Sequence, residues 1–101
     1  MSKAPVRLTY ATALVLEALD QGHAYGFDII DATRLRSGTV YPLLRRLQEA
    51  GLVCSKWEEV TEARRHNRPP RKYYELRLAA AEVLEAARSR YPAVAAMELA
   101  R

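Results

Sequence analysis

Ser37-Gly38-Thr39-Val40-Tyr41-Pro42-Leu43-Leu44-Arg45-Arg46-Leu47-Gln48-Glu49-Ala50-Gly51 is the stretch on which the fold turns. Val40, Leu43, Leu44 and Leu47 fall at i, i+3, i+4 and i+7, the spacing of one buried helix face. The opposite face carries Gly38, Tyr41, Pro42 and Arg45, flanked by Thr39, Arg46 and Glu49. Ser37 reads as the N-cap, its hydroxyl accepting from an early backbone N–H. Gly51 reads as the stop, because glycine tolerates the left-handed conformation past a helix end. Pro42 removes one helix hydrogen bond, a loss that is smallest close to the helix start.

The pattern continues outward in both directions. Upstream, residues 24–32 predict a short helix with Ile29 and Ile30 inward, joined to the first by the brief connection Thr33–Arg36. Before it, residues 6–20 predict a helix closed by Gly22, with Leu8, Ala11, Val15, Ala18 and Leu19 on one stripe and Leu14 and Leu16 off it. A helix apolar on more than one side is covered by more than one neighbour. Downstream, residues 52–60 alternate like a half-buried strand. Thr61–Pro70 reads as a polar loop, since Pro69 and Pro70 exclude regular ladder pairing. Lys72–Leu76 reads as the returning strand. Residues 79–90 predict a helix with Ala80, Val83, Leu84, Ala87 and Tyr91 on its apolar stripe; Pro92 interrupts it, and Val94, Met97 and Leu99 suggest a last helical piece. Helix, helix, helix, strand, basic loop, strand, helix is the order of a winged helix-turn-helix. The fold class is α+β and mainly helical: three helices, a two-stranded wing hairpin and a C-terminal helix. Residues 1–77 are expected to form the winged unit and 78–101 a C-terminal dimerisation helix.

The chain has 101 residues, enough for one domain. Half its residues are hydrophobic, against global disorder. One cysteine, Cys54, excludes an internal disulfide framework and a thiolate metal cluster. Neither a signal peptide nor a run of roughly 20 apolar residues is visible, so a cytoplasmic protein without membrane attachment is expected. The net charge of +4 favours an acidic partner. Its placement says more than its size. Arg34, Arg36, Arg45 and Arg46 lie in one acid-free run; Arg64, Arg65, Arg68, Arg71 and Lys72 lie in another. Together they hold nine of the sixteen basic residues, on two different predicted elements, which makes a binding surface rather than one solvated face.

These features point to double-stranded DNA. The second helix of a helix-turn-helix pair enters the major groove by its N-terminal part. On the recognition helix 37–50, Gly38 and Thr39 permit close approach, Tyr41 can donate to a phosphate, and Arg45 can reach a guanine edge or a phosphate, with Pro42 and Arg46 beside them. Tyr25 is partly core, with a hydroxyl free for the backbone. The wing 61–72 offers Arg64, Arg65, His66, Arg68, Arg71 and Lys72 to a phosphate backbone or minor groove. His66 has no companion at metal-ligand spacing, and neither a metal nor a cofactor is expected.

Tyr25-Gly26-Phe27-Asp28-Ile29-Ile30, then Ser37 to Leu47, Gly51-Leu52-Val53 and Arg68-Pro69-Pro70-Arg71-Lys72-Tyr73-Tyr74-Glu75-Leu76 resemble the PadR-type repressors, over about residues 8–78. The resemblance implies a homodimeric bacterial transcription factor of the short C-terminal branch, usually a repressor. It implies DNA contacts from Tyr25, Ser37, Thr39, Tyr41, Arg45 and Lys72. It implies a dimer in which the C-terminal helix packs on the partner's first helix, placing Leu8, Leu14, Leu16, Val83, Leu84, Ala87 and Tyr91 at the interface. Two departures stand out. Arg34-Leu35-Arg36 replaces a longer acidic helix end, and Arg77-Leu78-Ala79-Ala80 replaces the usual threonine and glycine before the last helix.

Other readings compete with this one. An effector-sensing variant binds a small molecule at the dimer interface, lined by Trp57, Tyr73, Tyr74 and Tyr91. A protein-binding winged helix calls for an apolar or acidic recognition face, against Arg45, Arg46 and the basic wing. An enzyme is not expected: no paired carboxylates, no phosphate-cradling glycine loop and no nucleophile–histidine pair are present.

Overall fold

The computed structural model describes residues 6–99; the outer bounds expected for the two segments, 1 and 101, lie outside them. Helix α1 spans Tyr10–Asp20, α2 Gly26–Thr33 and α3 Ser37–Glu49. Strand β1 (Val53–Trp57) and β2 (Lys72–Leu76) enclose a short helix α4 (Val60–Arg65). A 3-10 turn at Leu78–Ala80 leads into α5 (Ala81–Arg90) and then α6 (Pro92–Ala95).

Several boundaries differ from expectation for local reasons. Helix α1 starts at Tyr10 rather than residue 6. Thr9 is extended (φ −96°, ψ 170°) and accepts from Thr12 N–H at 3.2 Å, so it caps the helix there. Helix α3 is preceded by Arg36, whose side chain makes no capping bond; Ser37 is the first helical residue and not the cap. The stretch Thr61–Pro70 is not an irregular loop, since its first half is α4. Ala63 is buried and anchors that helix, and Glu62 pairs with Arg65 (3.5 Å) and His66 (3.6 Å) along its surface. Val60 belongs to this helix, so β1 stops at Trp57.

One device ends three helices. Gly22, Gly51 and Asn67 have positive φ (96°, 78° and 52°). After each, the next N–H folds back five residues: His23 to Ala18, Leu52 to Leu47, Arg68 to Ala63. This satisfies carbonyls that a helix end otherwise leaves unpaired. Helix α2 ends on Arg34, also left-handed at φ 64°.

The core is built on α1, buried continuously from Thr12 to Leu19. Leu16, Ile29, Val40, Leu44 and Leu47 are wholly enclosed; each such side chain contributes roughly 1.5–3 kcal/mol by leaving water. Ala80, Leu84, Ala87 and Val94 belong to the same core, and α5 and α6 pack against α1 of their own chain. Polar ties reinforce that docking. Arg88 Nε donates to buried Glu17 at 2.5 Å, and its Nη2 reaches Asp20 at 2.8 Å. These carboxylates raise the Arg88 pKa above its usual value, Glu17 having the larger effect. The Gln21 amide donates to Met97 O (2.8 Å) and accepts from Leu99 N (2.9 Å), clasping the tail. Buried His23 sits between Asp28 (3.0 Å) and Leu99 O (3.4 Å).

Strands β1 and β2 pair antiparallel, from Val53 opposite Leu76 to Trp57 opposite Lys72. The other edge of β2 is not bare. Tyr74 N–H donates to Ala24 O at 2.6 Å, and Tyr25 bridges to Tyr73. The entry to α2 therefore acts as a third short strand, fixing the hairpin to the helix-turn-helix.

Candidate nucleic-acid interface

Two adjoining grooves lie between α3 and the hairpin, sharing Tyr41, Lys72 and Tyr74. The first, about 760 Å³, is lined by Ser37, Gly38, Tyr41, Pro42, Arg45, Gln48 and Glu49 from α3 and by Lys72 and Tyr74 from β2. The second, about 530 Å³, adds Tyr25, Gly26, Phe27, Trp57 and Arg71. Of the residues expected on this face, Tyr25, Ser37, Gly38, Tyr41, Pro42, Arg45, Arg68, Arg71 and Lys72 are thus brought around one concave surface. Helical spacing explains the α3 set, for Gly38, Tyr41, Arg45 and Gln48 follow one another along a single face.

Tyr41 is held by an absence. A Cβ placed on Gly26 would overlap the Tyr41 ring, so glycine at the start of α2 makes the seat for that ring. Tyr41 stays 42% exposed, with its ring packed and its edge open. Gly38 is the contrary case: no neighbouring segment comes within 4 Å of where its Cβ would stand. Burial raises the Tyr74 pKa, Tyr41 adding a smaller push.

The cations divide into groups. Arg71 lies over the Tyr25 ring at 4.0 Å, and Lys72 stands 5.8 Å from the Trp57 ring and 5.7 Å from the Tyr74 ring. These contacts fix the direction of both side chains. Arg64 and Arg65 project from α4; Arg65 is 77% exposed. Arg46 faces a separate recess beside Arg7, Thr9 and Thr12, apart from Arg45. Thr39 lines neither groove and is half-buried. Arg68 is not a free wing cation. Both its terminal nitrogens donate to Glu58, whose carboxyl is held at about 2, chiefly by that contact.

The residues expected at a dimer interface are placed differently from one another. Leu14, Leu16, Leu84 and Ala87 are buried within the single chain. Leu8, Val83 and Tyr91 are half-buried at its edge. Tyr91 packs edge-on against Tyr10, centroids 5.8 Å apart, and its hydroxyl donates to Leu8 O at 3.4 Å. Of the aromatics expected to line an effector pocket at a dimer interface, Trp57 and Tyr74 line the second groove of the single chain, Tyr73 packs edge-on to Tyr25, and Tyr91 goes to Tyr10. The structure adds two residues to this site that the sequence does not mark: Phe27, 75% exposed at the groove mouth, and Glu58. The Tyr-Gly-Phe triplet is the available signal for Phe27; Glu58 leaves none, since its partners lie ten to fifteen residues downstream.

The family model for the transcriptional regulator PadR-like family matches residues 15–86, a span that holds the helix-turn-helix and the hairpin together. The chain belongs to the PadR-like family of transcriptional regulators. A PadR-like transcription factor from Bacteroides fragilis is 30% identical, with a TM-score of 0.63 over 84% of this chain and 82% of that one. A PadR family regulator from Clostridium difficile shares the fold, with a TM-score of 0.71 at 24% identity over 86% and 92% of the two chains. A PadR-like regulator from Bacillus cereus does so with a TM-score of 0.61, at 24% identity over 83% and 82%. No curated protein sequence matches this one. No helix among the described residues is long and apolar enough to cross a membrane.

Proposed function

We propose that this PadR-like protein is a homodimeric repressor that binds specific duplex DNA, with α3 in the major groove and the wing along the backbone or in the minor groove. The observation that carries the reading is the groove between α3 and β2, where Ser37, Gly38, Tyr41, Arg45 and Lys72 converge. The first turn of α3 presents N–H groups without helix partners, which suit a phosphate. Tyr41 and Lys72 are held beside that turn and donate to the same strand. Arg45, one turn further along, reaches base edges and supplies sequence reading. Arg64 and Arg65 on α4 add backbone contacts.

One feature supports a homodimer. Leu8, Val83 and Tyr91 are half-buried and Tyr10 is 48% exposed, which leaves an apolar edge beside α5 for a second copy. A two-fold pair places two α3 helices on successive major grooves, so the operator is expected to be palindromic.

Tyr41→Phe and Arg45→Ala test the DNA reading. Both side chains end in the groove rather than the core, so both variants are expected to melt like the parent. Arg45→Ala is expected to weaken binding to the protein's own upstream duplex roughly ten- to hundred-fold and to relax one base position. Tyr41→Phe is expected to weaken it without changing base preference. Unaltered affinity in both, measured by fluorescence anisotropy, would remove α3 from the interface.

A further inference from the structure

An acid whose side chain is buried at the base of the wing calls for explanation. Glu58 follows β1 directly, and its side chain is only 8% exposed. Four donors reach it across the wing. Arg68 donates through both terminal nitrogens, Arg71 N–H at 3.3 Å and Tyr73 Oη at 3.3 Å. Its own N–H donates to Arg71 O at 2.7 Å. The excursion through α4 and the two prolines is therefore closed at its base by one residue.

The contacts run on into a ring. Tyr73, bonded to Glu58, meets Tyr25 edge-to-face at 5.8 Å. Tyr25 carries the Arg71 guanidinium on its face at 4.0 Å, and Arg71 N–H returns to Glu58. Wing base, β2 and the entry to α2 are thus linked in one circuit. Lys72, next along the chain, is delivered to the groove by the same backbone.

We propose that Glu58 is a positioning residue for DNA binding: its carboxylate closes the wing and sets Arg71 and Lys72 against the helix-turn-helix. The proposal rests on the DNA-binding reading above. It carries a sign that simple electrostatics does not share. A carboxylate merely near phosphates repels them, so removing it would tighten binding to every duplex. A positioning carboxylate does the opposite for the specific site, because its loss lets two cations wander. Glutamine at this position still accepts from Arg71 and Tyr73 but no longer pairs its charge with Arg68.

The test compares the wild-type protein with Glu58→Gln, Glu58→Ala and Tyr73→Phe. Each is titrated onto a labelled duplex selected from a random pool by the wild-type protein and onto a scrambled duplex. Glu58→Ala is expected to lose affinity for the selected duplex roughly ten-fold, as Arg71 and Lys72 keep their charge but lose the set geometry that fixes the protein's register on its site. Its affinity for the scrambled duplex stays level or rises. Tyr73→Phe, which cuts the circuit and keeps the charge, is expected to lose affinity for the selected duplex by a smaller factor. It decides the matter together with Glu58→Gln should Glu58→Ala not fold. Tighter or equal binding of the selected duplex by these variants would overturn the proposal. Trypsin cleavage after Arg71 reads wing closure without DNA, and is expected to quicken in both Glu58 variants. Unchanged cleavage overturns the closure itself. Failure of the wild-type protein to select any duplex would instead strike the DNA reading.

Discussion

Glycine in a helix destabilises it by up to roughly 1 kcal/mol relative to alanine, and at Gly38 nothing within the chain requires it. The space outside its Cα stays open where the helix start faces the groove. A DNA strand lying close against that turn supplies the missing reason. Gly38→Ala is therefore expected to raise the melting temperature by a few degrees and to weaken operator binding at least several-fold; a variant more stable and equally active would show that nothing approaches there. Gly26 is glycine for an internal reason, because the Tyr41 ring occupies the place of its Cβ. The two glycines look alike in sequence, and only packing separates them. Ser37 shows a related limit. A serine before an apolar-periodic run is the ordinary sign of an N-cap, yet Arg36 takes that position and frees Ser37 to line the groove.

At the scale of elements, the wing carries both the clearest agreement and the largest departure. Strand β2 lies where alternation and the preceding prolines place it, at Lys72–Leu76. Helix α4 is hidden in the sequence, because a single buried alanine, Ala63, and one turn of charge pairs leave too short a periodic signal. Arg68 is hidden for another reason: composition counts a cation without showing that Glu58 already binds it. The structure therefore divides the wing arginines. Neutralising Arg64 and Arg65 together is expected to flatten the log–log salt dependence of DNA binding by about 0.9 for each phosphate they no longer neutralise. Removing Arg68 is expected to loosen the wing and leave a different signature, weaker specific binding with little change in slope. Equal slope changes from both would place Arg68 on DNA and contradict the Glu58 pairing.

The molecule as a whole rests on the packing of α5 and α6 against α1. Apolar residues on several sides of α1 suggest a second subunit, yet much of that surface is covered by α5 and α6 of the same chain. Periodicity shows that a face is buried but not which copy buries it; the Arg88–Glu17 pair and the Gln21 clasp, which fix the answer, span about seventy residues. Truncation at Leu76 uncovers the side of α1 that α5 and α6 cover, takes Arg88 from Glu17 and forfeits the burial of Leu84 and Val94, roughly 1.5–3 kcal/mol for each. The shortened chain is expected to show no cooperative melt by circular dichroism, whereas a stable folded product would detach the C-terminal helices from the core. The function proposed for the groove depends on specific duplex binding through α3 by a pair of protomers. An electrophoretic shift of the full protein on its own upstream region, titrated with salt and competitor DNA, puts that binding to the test. A complex of two protomers that survives excess competitor and weakens steeply with salt is expected. Binding to that region and to other DNA regions alike, abolished by modest competitor, would refute it.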